Sequence, residues 1–182
     1  MLMDLGDSAM SKPWFVMFSR SGKTLADVCE HVGYWPDCVY TNNFGQFDSR
    51  ILQQPGLYRL SHDSIMKIFR NQYFRPNVVT LMGYLNIIPP DICNYYPIYN
   101  LHPANIKDYP EYKGKDPIER IFKDNRLEAL GNTLHKVTPE VDAGEIIQME
   151  TYTADTIEDA YNKANEYAVR MWANLLRTEL EE

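Results

Sequence analysis

The chain is short of cysteine, of basic charge and of long apolar runs, and each shortage removes a class of function. Its three cysteines, Cys29, Cys38 and Cys93, form no C-x-x-C pair. A disulfide framework or a cysteine-based zinc site is therefore not expected, the three read as small buried apolar residues, and a reducing cytoplasm is the simplest home. Acidic residues outnumber basic ones, 25 to 18, for a net charge of −7. That balance argues against a broad surface for nucleic acid or an anionic membrane, though not against a local basic pocket. No apolar run approaches the ~18 residues of a membrane span. The opening MLMDLGDSAMSK has neither the basic nor the apolar region of a signal peptide. Residues 1–12 are expected to be a disordered tail and 13–182 a single domain, with a hydrophobic content of 45% that suffices for a core.

What is present begins with FSRSGKTLAD, residues 18–27. Gly22-Lys23-Thr24 is the tail of a nucleotide-binding P-loop, but the motif's first glycine would fall on Met17, inside the apolar run WFVMF. The P-loop reading fails there. A strand, a Ser/Gly turn and a helix from about Thr24 remain. Such a helix start can favour an anion. An ordinary turn capped by Ser21 explains the stretch equally well.

Further strands are expected over 37–41, 56–60, 77–85, 97–103, 132–137 and 145–152. Helices are expected after Ser61 or Asp63, within PPDICNYY, over IERIFKDN and from Thr156 to Leu180. The alternation implies an α/β fold: a mostly parallel, twisted, Rossmann-like sheet flanked by helices. An antiparallel C-terminal strand pair and a long C-terminal helix complete it. Ligands of such sheets bind beyond the carboxyl ends of the strands. Gly22, Gly83, Asn100 and His102 are all expected there.

Asn100-x-His102-Pro103 joins an amide donor to a group able to act as donor, acid or base, on one face of a strand. Alone, the triplet is more readily a loop-satisfying asparagine and a structural histidine. Downstream, His135, Asp142-x-Gly144 and Ile146-Ile147-Gln148 describe a strand, an acidic loop and a returning strand.

N-L-H-P followed by H-x-V-T-x-x-x-D-x-G-x-I-I-Q resembles the folate-dependent formyltransferases, in particular their purine-pathway branch. The likeness runs from about Trp14 to the last helix and is strongest from Pro76 to Gln148. It implies an enzyme that uses 10-formyltetrahydrofolate as formyl donor, with Asn100, His102 and Asp142 as the catalytic trio. Leu85, Val141, Asp142 and Gly144 would line the pterin pocket, and Gly83 the strand end beside both ligands. Ser21, Gly22, Lys23 and Thr24 would cradle the acceptor's phosphate, and Glu166 would contact its ribose, unless Glu166 is merely a solvated helix residue. His135 would either support the acidic loop or touch a ligand. In this chemistry Asn100 and a protonated His102 stabilise a tetrahedral oxyanion, and Asp142 raises the pKa of His102 and carries a proton. No metal is required.

The first loop departs from the family's S-G-x-G-S-N-L. Arg20 replaces the first glycine, and Lys23-Thr24 replace Ser-Asn. Ala104-Asn105-Ile106-Lys107 stands where the family has S-L-L-P. The acceptor is thus left open between glycinamide ribonucleotide or a similar phosphorylated amine and an amino sugar nucleotide or modified nucleotide. Transfer to tRNA is disfavoured by the acidic charge and by the lack of room for a second RNA-binding domain. A P-loop-like phosphotransferase or a non-catalytic folate or nucleotide binder is less favoured still. Monomer and homodimer are equally open.

Overall fold

The computed structural model describes residues 12–71, 73 and 75–181. Residues 1–11, where most of the expected disordered tail falls, lie outside the described residues. All of β1 (Trp14–Phe18) is buried, as a strand covered on both faces must be. Met17 lies within it, paired with Tyr40 and Leu81, so no phosphate-wrapping loop can begin there. Gly22 then turns the chain with φ 70° into α1 (Lys23–Val32). A Cβ at Gly22 would lie 2.4 Å from Ile51 Cδ1, so this turn needs glycine twice over, for its backbone angle and for space.

The remaining elements are β2 (Cys38–Thr41), α2 (Ser49–Leu52), β3 (Leu57–Arg59), α3 (His62–Arg70), β4 (Val78–Leu81), α4 (Pro90–Cys93), β5 (Ile98–His102), α5 (Pro117–Lys123), β6 (Gly131–Lys136), β7 (Ile146–Thr151) and α6 (Ile157–Leu176). The seven strands form one sheet in the order β3-β2-β1-β4-β5-β6-β7. Pairing is parallel from β3 through β5 and antiparallel from β5 through β7. The strand order reverses between β1 and β4, which opens a crevice at their carboxyl ends.

Alternation along the strands sorts the core into two faces. Trp14, Val16, Phe18, Tyr99 and Leu134 pack with α1 and α6. Phe15, Met17, Val79, Leu81 and Ile98 pack with Ile65 and Phe69 of α3 and Ile92 of α4. Ile98, Asn100 and His102 therefore share the second face. Beyond α4 that face is covered by loops, and there a site can form.

Several expectations shift. The strand expected over 77–85 ends at Leu81, because Gly83 takes φ 81° and its carbonyl accepts from Ser19 N at 3.0 Å, tying the ends of β1 and β4 together. α1 starts one residue before Thr24, with Gly22 rather than Ser21 in the capping position; Ser21 Oγ still accepts from Lys23 N at 3.3 Å. The antiparallel portion includes β5 as well as the C-terminal pair. α6 is capped by Thr156, and its regular turns stop at Leu176, followed by a wider turn over Arg177–Glu181. Cys29 and Cys93 are buried, while Cys38 is only half-buried. Among the described residues no helix is long and apolar enough to cross a membrane.

Candidate active site

Register brings the polar residues together. Asn100 on β5 lies between Leu81 of β4 and His135 of β6, and His102 lies opposite Thr133. Asp142 comes from the loop after β6, which folds back over the sheet face. Gly144 makes that fold possible: a Cβ there would sit 1.8 Å from the Lys136 carbonyl oxygen. Asp142 has a left-handed backbone (φ 51°), a conformation that aspartate tolerates better than most residues.

The Asp142 carboxylate is the hub. Its Oδ2 lies 3.2 Å from His102 Nδ1 and accepts from Gly114 N at 3.0 Å; its Oδ1 lies 3.3 Å from His135 Nε2. His102 Nε2 donates to the Tyr112 carbonyl at 2.7 Å, and His135 Nδ1 donates to the Lys136 carbonyl at 2.9 Å. His135 Nε2 is close enough to Asp142 for charge attraction but off the line of a hydrogen bond, and it has no other partner. Burial alone would raise the Asp142 pKa, yet His135, His102 and the Gly114 N–H hold it down at about 2. For His102 burial dominates and lowers the pKa, and the upward pull of Asp142 is smaller. The expectation that Asp142 raises the pKa of His102 is right in sign for that contact. It is corrected in net effect, because the ring is only 5% exposed. Asn100 is half-buried, and its side chain makes no hydrogen bond among the described residues. It is the member of the trio left open to a ligand.

The loop after β1 is differently built. Lys23 Nζ pairs with Asp27, which also binds Arg50 at 2.9 Å and Asn165 at 2.8 Å. Burial raises the Asp27 pKa, but Lys23, Asn165 and Arg50 together bring it below the usual carboxylate range. Thr24 Oγ1 donates to Asn165 Oδ1 at 2.8 Å. The hydroxyl and ammonium expected to face a phosphate are thus engaged within the protein. Arg20 is exposed and forms no side-chain hydrogen bond or ion pair among the described residues. Glu166 is exposed and is not bonded to this loop; its neighbour Asn165 is. Leu85 and Val141 are 63% and 49% exposed, and Leu85 N donates to Ser19 Oγ at 3.1 Å. Gly83 sits where the ends of β1 and β4 meet.

The sequence profile of the formyl transferase family matches residues 61–175. The chain belongs to that family. Asn100, His102, His135, Asp142, Gly144 and Glu166 all fall inside the matched span, and Ser21–Thr24 fall outside it. A phosphoribosylglycinamide formyltransferase from Dictyostelium discoideum is 31% identical over 130 residues, covering 63% of this chain and 61% of that protein. The match thus spans about three fifths of that relative's length. The crystal structure of phosphoribosylglycinamide formyltransferase from Streptococcus pneumoniae superposes with TM-score 0.76 over 92% of this chain and 98% of that one, at 21% identity. At that identity the likeness establishes the formyl transferase fold. A formyltetrahydrofolate deformylase from Pseudomonas syringae gives TM-score 0.77 and 26% identity over 96% of this chain and 63% of that one.

Sequence reasoning missed the segment Tyr109–Gly114. It reads as polar and irregular, yet it supplies the Tyr112 carbonyl and the Gly114 N–H to the site. Both contacts are made by backbone, so no side-chain motif could have signalled them. Asp27 and Asn165 were missed for a different reason. They stand 138 residues apart and meet only because α1 packs on α6.

Proposed function

We propose that the chain transfers a formyl group from 10-formyltetrahydrofolate to the primary amine of a small phosphorylated acceptor, foremost glycinamide ribonucleotide. The observation that carries this reading is the open Asn100 amide on the same strand face as a buried His102–Asp142 pair held at 3.2 Å. The named relatives support the donor and the acceptor. The exposed side chains of Leu85 and Val141 offer apolar surface for a flat pterin ring, and the backbone around Val141–Gly144 offers it polar partners.

The amine nitrogen attacks the formyl carbon, and the carbonyl electron pair moves to oxygen. Asn100 Nδ2–H and His102 Nε2–H donate to the developing oxyanion, the latter once the Tyr112 carbonyl gives way. One such donor is worth about 10²–10³ in rate. Asp142, ionised at neutral pH, takes the proton released by the attacking nitrogen, directly or through a water. It returns that proton to the folate nitrogen as the C–N bond to it breaks. One C–N bond forms, one breaks, and one proton moves between the two nitrogens. No covalent enzyme intermediate is needed.

On the acceptor side, the Ser21–Thr24 turn with Gly83 is the candidate phosphate cradle, with Arg20 its uncommitted cation and Glu166 a candidate ribose contact. Commitment of Lys23 to Asp27 favours a second reading, in which water replaces the amine and the chain hydrolyses the formyl folate. An amino sugar nucleotide remains the alternative acceptor. The test is incubation with 10-formyltetrahydrofolate and a panel of nucleotide and amino-sugar amines, read by mass. Gain of one formyl group by a panel amine supports transfer and names the acceptor. Formate release with no acceptor present supports hydrolysis, and neither product defeats both readings.

A further inference from the structure

Arg120 of α5 is a half-buried cation that forms no ion pair among the described residues, although Glu111, Asp116, Glu119 and Asp124 lie near it in the chain. A charge taken partly out of water is ordinarily paired with an opposite charge. Here the guanidinium is spent on backbone instead. Nη1 donates to the Glu111 carbonyl at 2.9 Å and Nη2 to the Lys113 carbonyl at 2.6 Å, while Nε is buried and bonds nothing among the described residues.

The segment gripped in this way is the one that closes the site. The Tyr112 carbonyl accepts from His102 Nε2 at 2.7 Å, and the Gly114 N–H donates to Asp142 Oδ2 at 3.0 Å. The Lys113 carbonyl and the Gly114 N–H belong to one peptide group. That group is planar and trans, so its oxygen and its hydrogen point in opposite directions. A guanidinium fixed on the oxygen aims the hydrogen at Asp142, and by polarising the peptide it makes that hydrogen a better donor. We infer that Arg120 is a positioning residue for Asp142, acting through the Lys113–Gly114 peptide.

The segment does not depend on Arg120 for its attachment. Tyr112 is 2% exposed, and its hydroxyl donates to Asp124 at 3.1 Å. Loss of the guanidinium therefore frees one peptide to turn while the segment stays docked. The consequence for turnover rests on the formyl-transfer reading, in which Asp142 takes and returns a proton. The placement of the peptide does not rest on it, and it is measured without substrate.

The experiment compares the unmodified full chain with Arg120→Lys and Arg120→Gln. Lysine keeps the charge but lacks the planar fork that spans two carbonyls, and glutamine keeps donors without charge. Gly114 is exposed and its N–H is bonded to Asp142, so slow exchange of that amide, followed by NMR, reports this bond. Exchange should be at least about tenfold faster in both variants, while the amides of α1 and α6 keep their rates. The kcat for transfer should fall about 10–100-fold, the effect of a misplacement of roughly 1 Å, with the KM for the folate within about twofold. An unprotected Gly114 amide in the unmodified chain would overturn the inference. So would Arg120→Lys with unchanged Gly114 exchange or unchanged kcat, or equal acceleration of the α1 and α6 amides, which marks a general stabiliser. An unmodified chain that formylates no amine, but whose Gly114 amide responds as expected, would defeat the proposed function and leave the placement of Asp142 by Arg120 standing.

Discussion

The carboxyl ends of β5 and β1 both carry polar residues, but they are built on opposite principles. At the end of β5 the groups are buried, and every nitrogen of two histidines faces a fixed oxygen. At the end of β1 Lys23 is exposed and pairs with the half-buried Asp27, while Arg20 makes no ion pair among the described residues. Burial in the first region makes small geometric changes expensive and gives each charge a large effect. Solvent in the second screens the same kind of charge and lets residues exchange at little cost. The histidine–aspartate cluster is thus held by fixed partners, while the loop after β1 can exchange residues at lower cost, and it is one of two stretches where the sequence departs from the formyltransferase pattern.

The largest effect of any single substitution is expected at His102. His102→Ala is expected to lower the single-turnover rate by about 10³-fold or more while the folate dissociation constant changes little. Asn100→Ala should cost about 10²–10³-fold in rate, because it removes one open donor. Gly144→Ala tests the scaffold, since its Cβ would overlap the Lys136 carbonyl. A loss of at least about 3 kcal/mol in denaturant unfolding is expected, with activity falling alongside as Asp142 is displaced. Smallest of all, Asp27→Asn should change stability by less than about 1 kcal/mol, and it should alter the acceptor KM rather than kcat, because it frees Lys23. An Asp27→Asn effect as large as that of His102→Ala would collapse the distinction between the two regions.

Acidity sharpens the same contrast. Burial lowers the folded-state pKa of His102, so the unfolded chain takes up that proton first as pH falls. Its contribution to stability is therefore full above about 6.5 and declines as pH drops through that value toward the lower folded-state pKa. The melting temperature should fall between pH 7.5 and 5.5, and His102→Gln should flatten that slope. Asp142 acts at lower pH. Its stabilising contribution is present above about 3.9 and is lost as pH falls through its folded-state value of about 2.

The sequence made the first region readable through periodicity. Two-residue spacing put Asn100 and His102 on one strand face, and the Asp142-x-Gly144 pattern announced a tight acidic loop. The register between β5 and β6, which sets His135 directly opposite Asn100, is a long-range pairing that local pattern does not encode. The backbone donors and acceptors of Tyr112 and Gly114 left no trace in residue identity. For the second region the Gly22 turn was legible because glycine alone fits it. The fate of Lys23 was not, since its partner's other contacts come from Arg50 and Asn165, on separate helices.

The most direct test of the account is single-turnover transfer from 10-formyltetrahydrofolate to glycinamide ribonucleotide by the unmodified chain and by Asp142→Asn, with folate binding measured on the same samples. Both proteins are expected to bind the folate comparably, the unmodified chain to form the formylated amine, and Asp142→Asn to form almost none. Equal transfer by the two proteins would contradict it.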